Sequence, residues 1–189
     1  MRELRSASRR GPRQRRLVAV LLAILLSATT TACDSTPPSL PTDRSPAGVH
    51  ALLTGAAGQD FLDSIATYDW ADAGADAATI FDWISRDATS TDPATATRAG
   101  QTARAIAEFL STHGDGLLEL PSGWFGLSHQ TVGSRNPELT QGLTVALLPF
   151  LKPIVCDSYG TLGFELLDPA GCDASAQAAK PVFAVLNTD

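Results

Sequence analysis

Four groups of residues have the types and spacings that chemistry needs. The first is Cys33, which closes a leader of seven Arg between Arg2 and Arg16, ten apolar residues from Leu17 to Leu26 and a run of small residues. A basic head, a short apolar run and small residues before a cut describe a secretory signal, so the Cys33 thiol is placed for acylation. The second is Cys156 with Cys172, two thiols that could oxidise to a disulfide. The third is Ser128-His129, a nucleophile type beside a base type. The fourth is Asp69, Asp72 and Asp76, three carboxylates that a calcium ion could use.

The last two dissolve on inspection. Neighbours in sequence seldom face each other, and Gly126-Leu127-Ser128-His129-Gln130 is no Gly-x-Ser-x-Gly elbow. Calcium loops alternate oxygen ligands around a sharp turn, whereas Asp72 is better placed to accept from free amides at a helix start. Gly55-Ala56-Ala57-Gly58 lacks the Gly-Lys-Ser/Thr ending of a phosphate loop and reads as a turn. No catalytic, cofactor-binding or metal-binding residue is expected.

The two cysteine groups survive. Thr30-Thr31-Ala32-Cys33 resembles the lipobox of bacterial lipoproteins, with Thr where Leu is usual. Ten apolar residues reach about 15 Å as a helix, half the roughly 30 Å of a bilayer core, so cleavage is favoured over a permanent span. Arg9-Arg10 is followed by Gly11-Pro12 rather than apolar residues, which favours general secretion over twin-arginine export. With lipid on Cys33, Cys156 and Cys172 remain in a compartment that permits a disulfide. Closing that loop would stabilise by about 3 kcal/mol on the chain-entropy account. The alternative is two unrelated buried thiols; no CxxC or Cys/His spacing supports zinc.

The expected organisation is a lipoprotein signal peptide over 1–32, a tether over 33–46 and a folded domain over 47–189. Pro37, Pro38, Pro41 and Pro46 should keep the tether extended and unpacked. The expected location is the extracytoplasmic face of the cell membrane, with the lipid on Cys33 as the membrane contact. Removing the seven Arg and Glu3 of the leader from 14 basic and 20 acidic residues leaves 7 and 19, a net charge near −12. Such a surface repels phosphate backbones and excludes nucleic acid as a partner.

Helical periodicity dominates the domain, and an all-α fold follows: a small bundle of about four to six helices with long Gly/Pro-containing loops. Phe61, Leu62 and Ile65 mark a short helix. Ala77, Ile80, Phe81 and Ile84 mark a second, over about 73–86. Asp92-Pro93 starts a third as cap and first residue, carrying Ala99, Ala103, Ile106, Ala107 and Leu110 to a stop at His113-Gly114-Asp115-Gly116. A long loop, Leu117 to Arg135, then reaches Asn136-Pro137-Glu138, which opens a helix that must kink or end at Pro149. Gly-rich sequence fills the interval between Cys156 and Cys172. A weak final helix from Ala174 to Leu186 is interrupted by Pro181. Asn187-Thr188-Asp189 offers capping side chains with no helix to cap, so the last dozen residues are expected to be poorly anchored.

Leu52-Leu53-Thr54-Gly55, Asp69-Trp70-x-Asp72-x-Gly74, Phe81-Asp82-Trp83-Ile84, and Asn136-Pro137-Glu138-Leu139 with Leu148-Pro149-Phe150 together resemble a module of secreted actinobacterial proteins, the "TPR repeat region". The same module occurs within large export-associated, toxin-like proteins. The resemblance covers roughly residues 49–189 and implies an all-helical module of unknown molecular function, with no catalytic residues to carry over. It also implies that longer members continue past Asp189, so the domain is expected to be cut short there. No 34-residue repeat is visible. The function expected is a non-catalytic, membrane-tethered envelope protein that binds or scaffolds another protein, whose identity the sequence leaves open. The alternative is a fragment of a larger exported, toxin-associated protein in which the helices serve delivery or spacing. An envelope hydrolase is third.

Overall fold

A 26-residue helix, Pro93–Leu118, forms the axis of the domain, and the other helices pack along it. The computed structural model describes residues 36–123, 126–157 and 161–188. Cys33 and the expected signal peptide over 1–32 lie outside the described residues.

The elements in order are α1 (Pro46–Leu53), α2 (Gly58–Thr67), α3 (Ala75–Ala78), a 3-10 turn (Thr79–Phe81) and α4 (Asp82–Asp87). The axial helix α5 (Pro93–Leu118) follows, then strands β1 (Leu120–Ser122) and β2 (Ser128–Gln130) and the short α6 (Val132–Arg135). The chain ends in α7 (Pro137–Leu147), a 3-10 turn (Leu148–Phe150), α8 (Leu151–Ile154) and α9 (Cys172–Leu186). The fold is a small all-α bundle, with one antiparallel ladder pairing Leu120 with Gln130 and Ser122 with Ser128.

Asp92 and Pro93 start α5 as the sequence implies: the Asp92 carboxylate accepts from the amides of Ala94 and Thr95, which have no partner within the helix. Its buried stripe includes Ala99, Ala103, Ile106, Ala107 and Leu110, and continues through Phe109 and Leu117. These meet Val49 and Leu53 of α1, Leu62 and Ile65 of α2, and Ile84 of α4 in one core, where each large side chain stabilises by roughly 1.5–3 kcal/mol.

Several expectations are corrected. The glycines at 114 and 116 do not stop α5, which runs two turns past Leu110. Gly114 is needed for another reason: a Cβ there would lie 2.6 Å from the Cβ of Pro181, so only a glycine lets α9 cross this closely. Pro181 in turn does not interrupt α9, which is continuous from Cys172 to Leu186. The chain up to Thr188 is not loose either. Val182 and Val185 are fully buried, Leu186 nearly so, and the Gly133 amide donates to Thr188 Oγ1 at 3.1 Å. The capping-type hydroxyl at Thr188 therefore has a use, on α6 rather than on a following helix.

The segment from Leu117 to Arg135 is also more ordered than a long loop, since it holds the end of α5, the ladder and α6. The kink at Pro149 is as expected, taken up by the 3-10 turn between α7 and α8. The segment before α1 is held to the domain over its last residues. Leu40 packs against the core, and the Arg44 guanidinium pairs with Asp76 at 2.7 Å and 3.0 Å. Ser45 caps α1 by accepting from the Gly48 amide.

Candidate functional site

Asn136 stands at the cap position of α7, but its side chain serves elsewhere. Fully buried, it donates through Nδ2 to the carbonyls of Ala66 (3.1 Å) and Tyr68 (2.7 Å) and accepts from the Trp70 amide at 3.3 Å. The first amides of α7 are met instead by the Ala73 carbonyl, which accepts from Glu138 and Leu139. Ala73 and Gly74 both take positive φ to deliver it, and a Cβ on Gly74 would meet the Leu139 Cβ at 2.6 Å. The Arg135 guanidinium donates to the Thr67 carbonyl at 2.7 Å and to that of Pro121. Residues 135 and 136 thus join the end of α2 to the ladder and to α7. Their types gave no hint of this.

Ser128 and His129 do not form a nucleophile–base pair. They are successive residues of β2, and successive side chains on a strand leave from opposite faces. Ser128 Oγ donates to the Ser122 carbonyl at 2.8 Å, and His129 Nδ1 lies 3.2 Å from the Glu119 carbonyl, a backbone acceptor rather than a carboxylate. Of the three aspartates, Asp72 accepts from the amides of Gly74 and Asp76, and Asp76 pairs with Arg44. That salt bridge and its hydrogen bonds hold the Asp76 carboxyl below its ordinary value. Among the described residues no cluster of three His, Cys, Asp or Glu could hold a metal ion. Cys156 and Cys172 are joined as a disulfide with Cα atoms 5.4 Å apart, tying the end of α8 to the start of α9.

The disulfide-bounded segment forms one side of a cleft of about 520 Å³. His50, Thr54 and Gln59 from α1, α2 and their turn form the other side, and Gln101, Arg104 and Glu108 of α5 form the floor. Gly163 and Glu165 complete it. The segment is held on α5 by close backbone contact: a Cβ on Gly100 would strike the Leu162 carbonyl, and one on Gly163 the Thr97 carbonyl. Arg104 reinforces this, donating to the Leu166 carbonyl through Nε and Nη2 at 3.3 Å each and to Glu108 at 2.9 Å.

The His50 ring is tied to α5 through Thr102. Thr102 Oγ1 already donates to the Arg98 carbonyl at 2.8 Å, so at 3.1 Å it accepts from His50 Nδ1–H. Burial first, and the charge of Arg98 second, push the imidazole below its ordinary value, which favours the neutral ring. Its Nε2 is left as an acceptor. Among the described residues the carboxamides of Gln59 and Gln101 and the carboxylate of Glu165 have no hydrogen-bond or ion-pair partner. Among the described residues the cleft therefore offers unpaired donors and acceptors, and the Thr54 hydroxyl is engaged with the His50 carbonyl at 2.7 Å.

The stretch that resembles a known family includes the α1–α2 hairpin of this wall and runs on into α4. Residues 42–83 match the family model of the TPR repeat domain. The match spans less than a quarter of the chain. No curated protein and no solved structure matches. A TPR unit is a helix–turn–helix that buries its apolar face by stacking on further units, and such arrays are protein-interaction modules. Here α1 and α2 have the helix–turn–helix form, but α5 covers their apolar face instead of a second unit. The likeness supports a helical module that takes part in protein–protein interaction.

Proposed function

We propose that this is a non-catalytic protein tethered to the extracytoplasmic face of the cell membrane by lipid on Cys33, where it binds or scaffolds another envelope protein. The observation that carries the binding part is the cleft beside the TPR-like hairpin. It presents unpaired carboxamides from two elements, Gln59 and Gln101, either of which can pair with a peptide group by donating and accepting at once. The tether rests on the arginine-rich head, the ten-residue apolar run and Ala32-Cys33. Among the described residues no helix is long and apolar enough to cross a membrane.

Photo-crosslinking in the intact cell tests the binding site. A photoreactive residue replacing Gln101 in the tethered chain should give one discrete protein adduct, and the same residue replacing Asp115, exposed elsewhere on α5, should not. Equal adducts from both positions, or none from Gln101, would contradict the assignment of the cleft.

A further inference from the structure

The helix α7 and its continuation α8 are apolar on two sides. The inner side, Leu139, Leu143, Ala146, Leu147, Phe150 and Ile154, is core. The outer side carries a second stripe at spacings of three and four: Glu138, Gln141, Val145, Leu148, Lys152 and Val155, all exposed. Val145, Leu148 and Val155 are 42, 53 and 41 % exposed, and they are three of the five large hydrophobic residues most exposed among the described residues. Pro149 adds to the same side. Spacings of three and four are what a helix uses to pack along another helix.

The charges on the stripe say which helix that is. Glu138 lies seven residues before Val145 and Lys152 seven after it. Among the described residues neither has an ion-pair partner. A two-fold axis through Val145 brings the first turn of α7, with Glu138, of one copy toward the α8 turn, with Lys152, of the other, twice, with the 3-10 turn at Leu148–Phe150 between Val145 and Lys152. It also lays Leu148 over Gln141 and Gly142 of the second copy. Parallel pairing would instead set like charges against each other. We propose that this face is where two copies of the chain pair antiparallel, an isologous contact centred on Val145.

The stripe is narrow, so the pair belongs among small, transient interfaces rather than obligate dimers. The net charge, −6 for the whole chain and near −12 for residues 33–189, opposes association. At physiological ionic strength the screening length is about 8 Å, which damps repulsion between the bodies more than attraction between charges in contact.

Thiol cross-linking tests this with the purified full chain carrying Cys33→Ser, so that only an introduced thiol is free. Val145→Cys should give a disulfide-linked dimer under mild oxidation, and Leu162→Cys, exposed outside the stripe, should give none. Adding Lys152→Glu to Val145→Cys should lower the dimer yield about tenfold, two attractions having become repulsions. Adding Glu138→Lys as well should restore it. Circular dichroism confirms that each variant is folded. No dimer from Val145→Cys, equal dimer from Leu162→Cys, or failure of the double reversal to restore the yield would overturn the pairing.

Discussion

Gly114 and Pro181 lie against each other where α5 crosses α9, so close that a Cβ on the glycine would sit 2.6 Å from the Cβ of the proline and 3.3 Å from its Cα. Each is a residue that ordinarily ends a helix, and each is inside one. Around Gly116, two residues on, nothing lies within 4 Å of an added Cβ. The same substitution at the two positions should therefore have opposite signs. Gly116→Ala should stabilise by about 0.5–1 kcal/mol, the helix propensity difference. Gly114→Ala should destabilise by about 1–3 kcal/mol, because the proline ring cannot yield as a flexible side chain would. Urea denaturation of the two variants checks this through midpoint shifts in opposite directions.

Asn136 is the polar group whose loss should cost most. Replacing it with Ala removes three hydrogen bonds and leaves the carbonyls of Ala66 and Tyr68 and the amide of Trp70 unmatched. Unmet buried groups cost about 1–3 kcal/mol each, so a loss of about 3 kcal/mol is expected even if water reaches some of them. The denaturation midpoint should fall while the slope stays unchanged.

The C-terminal helix is integral to the core. Deleting Pro181–Asp189 removes the buried side chains of Val182, Val185 and Leu186, together worth roughly 5–9 kcal/mol. The melting temperature should fall by more than about 10 °C. A change of only a degree or two would show that the tail packs far more loosely.

His50 should give the domain a stability step near neutral pH. Its folded value is depressed below 6.5, so the neutral ring is favoured on folding and its stabilisation is fully present above the unfolded value. As pH falls from 6.5 through the folded value, the unfolded chain takes the proton more readily and stability is lost. Asp43, Asp76 and Asp92 are also depressed, but from 3.8, so their losses come at lower pH. The melting temperature should decline between pH 7 and 5, and His50→Gln should flatten that decline.

What could be read from the sequence was what local rules decide. Asp92-Pro93 start a helix because cap and first position are local, and the alternation of Ala, Ile and Leu along α5 marks its buried face before any partner is known. Gly114 and Pro181 could not be read this way. Glycine and proline have strong local meanings, and only the crossing of two helices far apart in sequence overrides them. Asn136 beside Pro137 looks like a cap for the same local reason, yet its three partners lie 66 to 70 residues away. The cleft was not legible either, because Gln59, Gln101 and Glu165 come from three separate segments and carry no motif. The pairing of Cys156 with Cys172 was within reach, as elimination left only those two thiols.

Whether Cys33 carries lipid decides the tethered reading most directly. Cells fed an alkyne-bearing fatty acid should incorporate label into the wild-type chain, at a mass consistent with cleavage before Cys33. The Cys33→Ser chain should carry none and should leave the membrane fraction. Label on both chains, or on neither, would contradict a lipid-anchored protein.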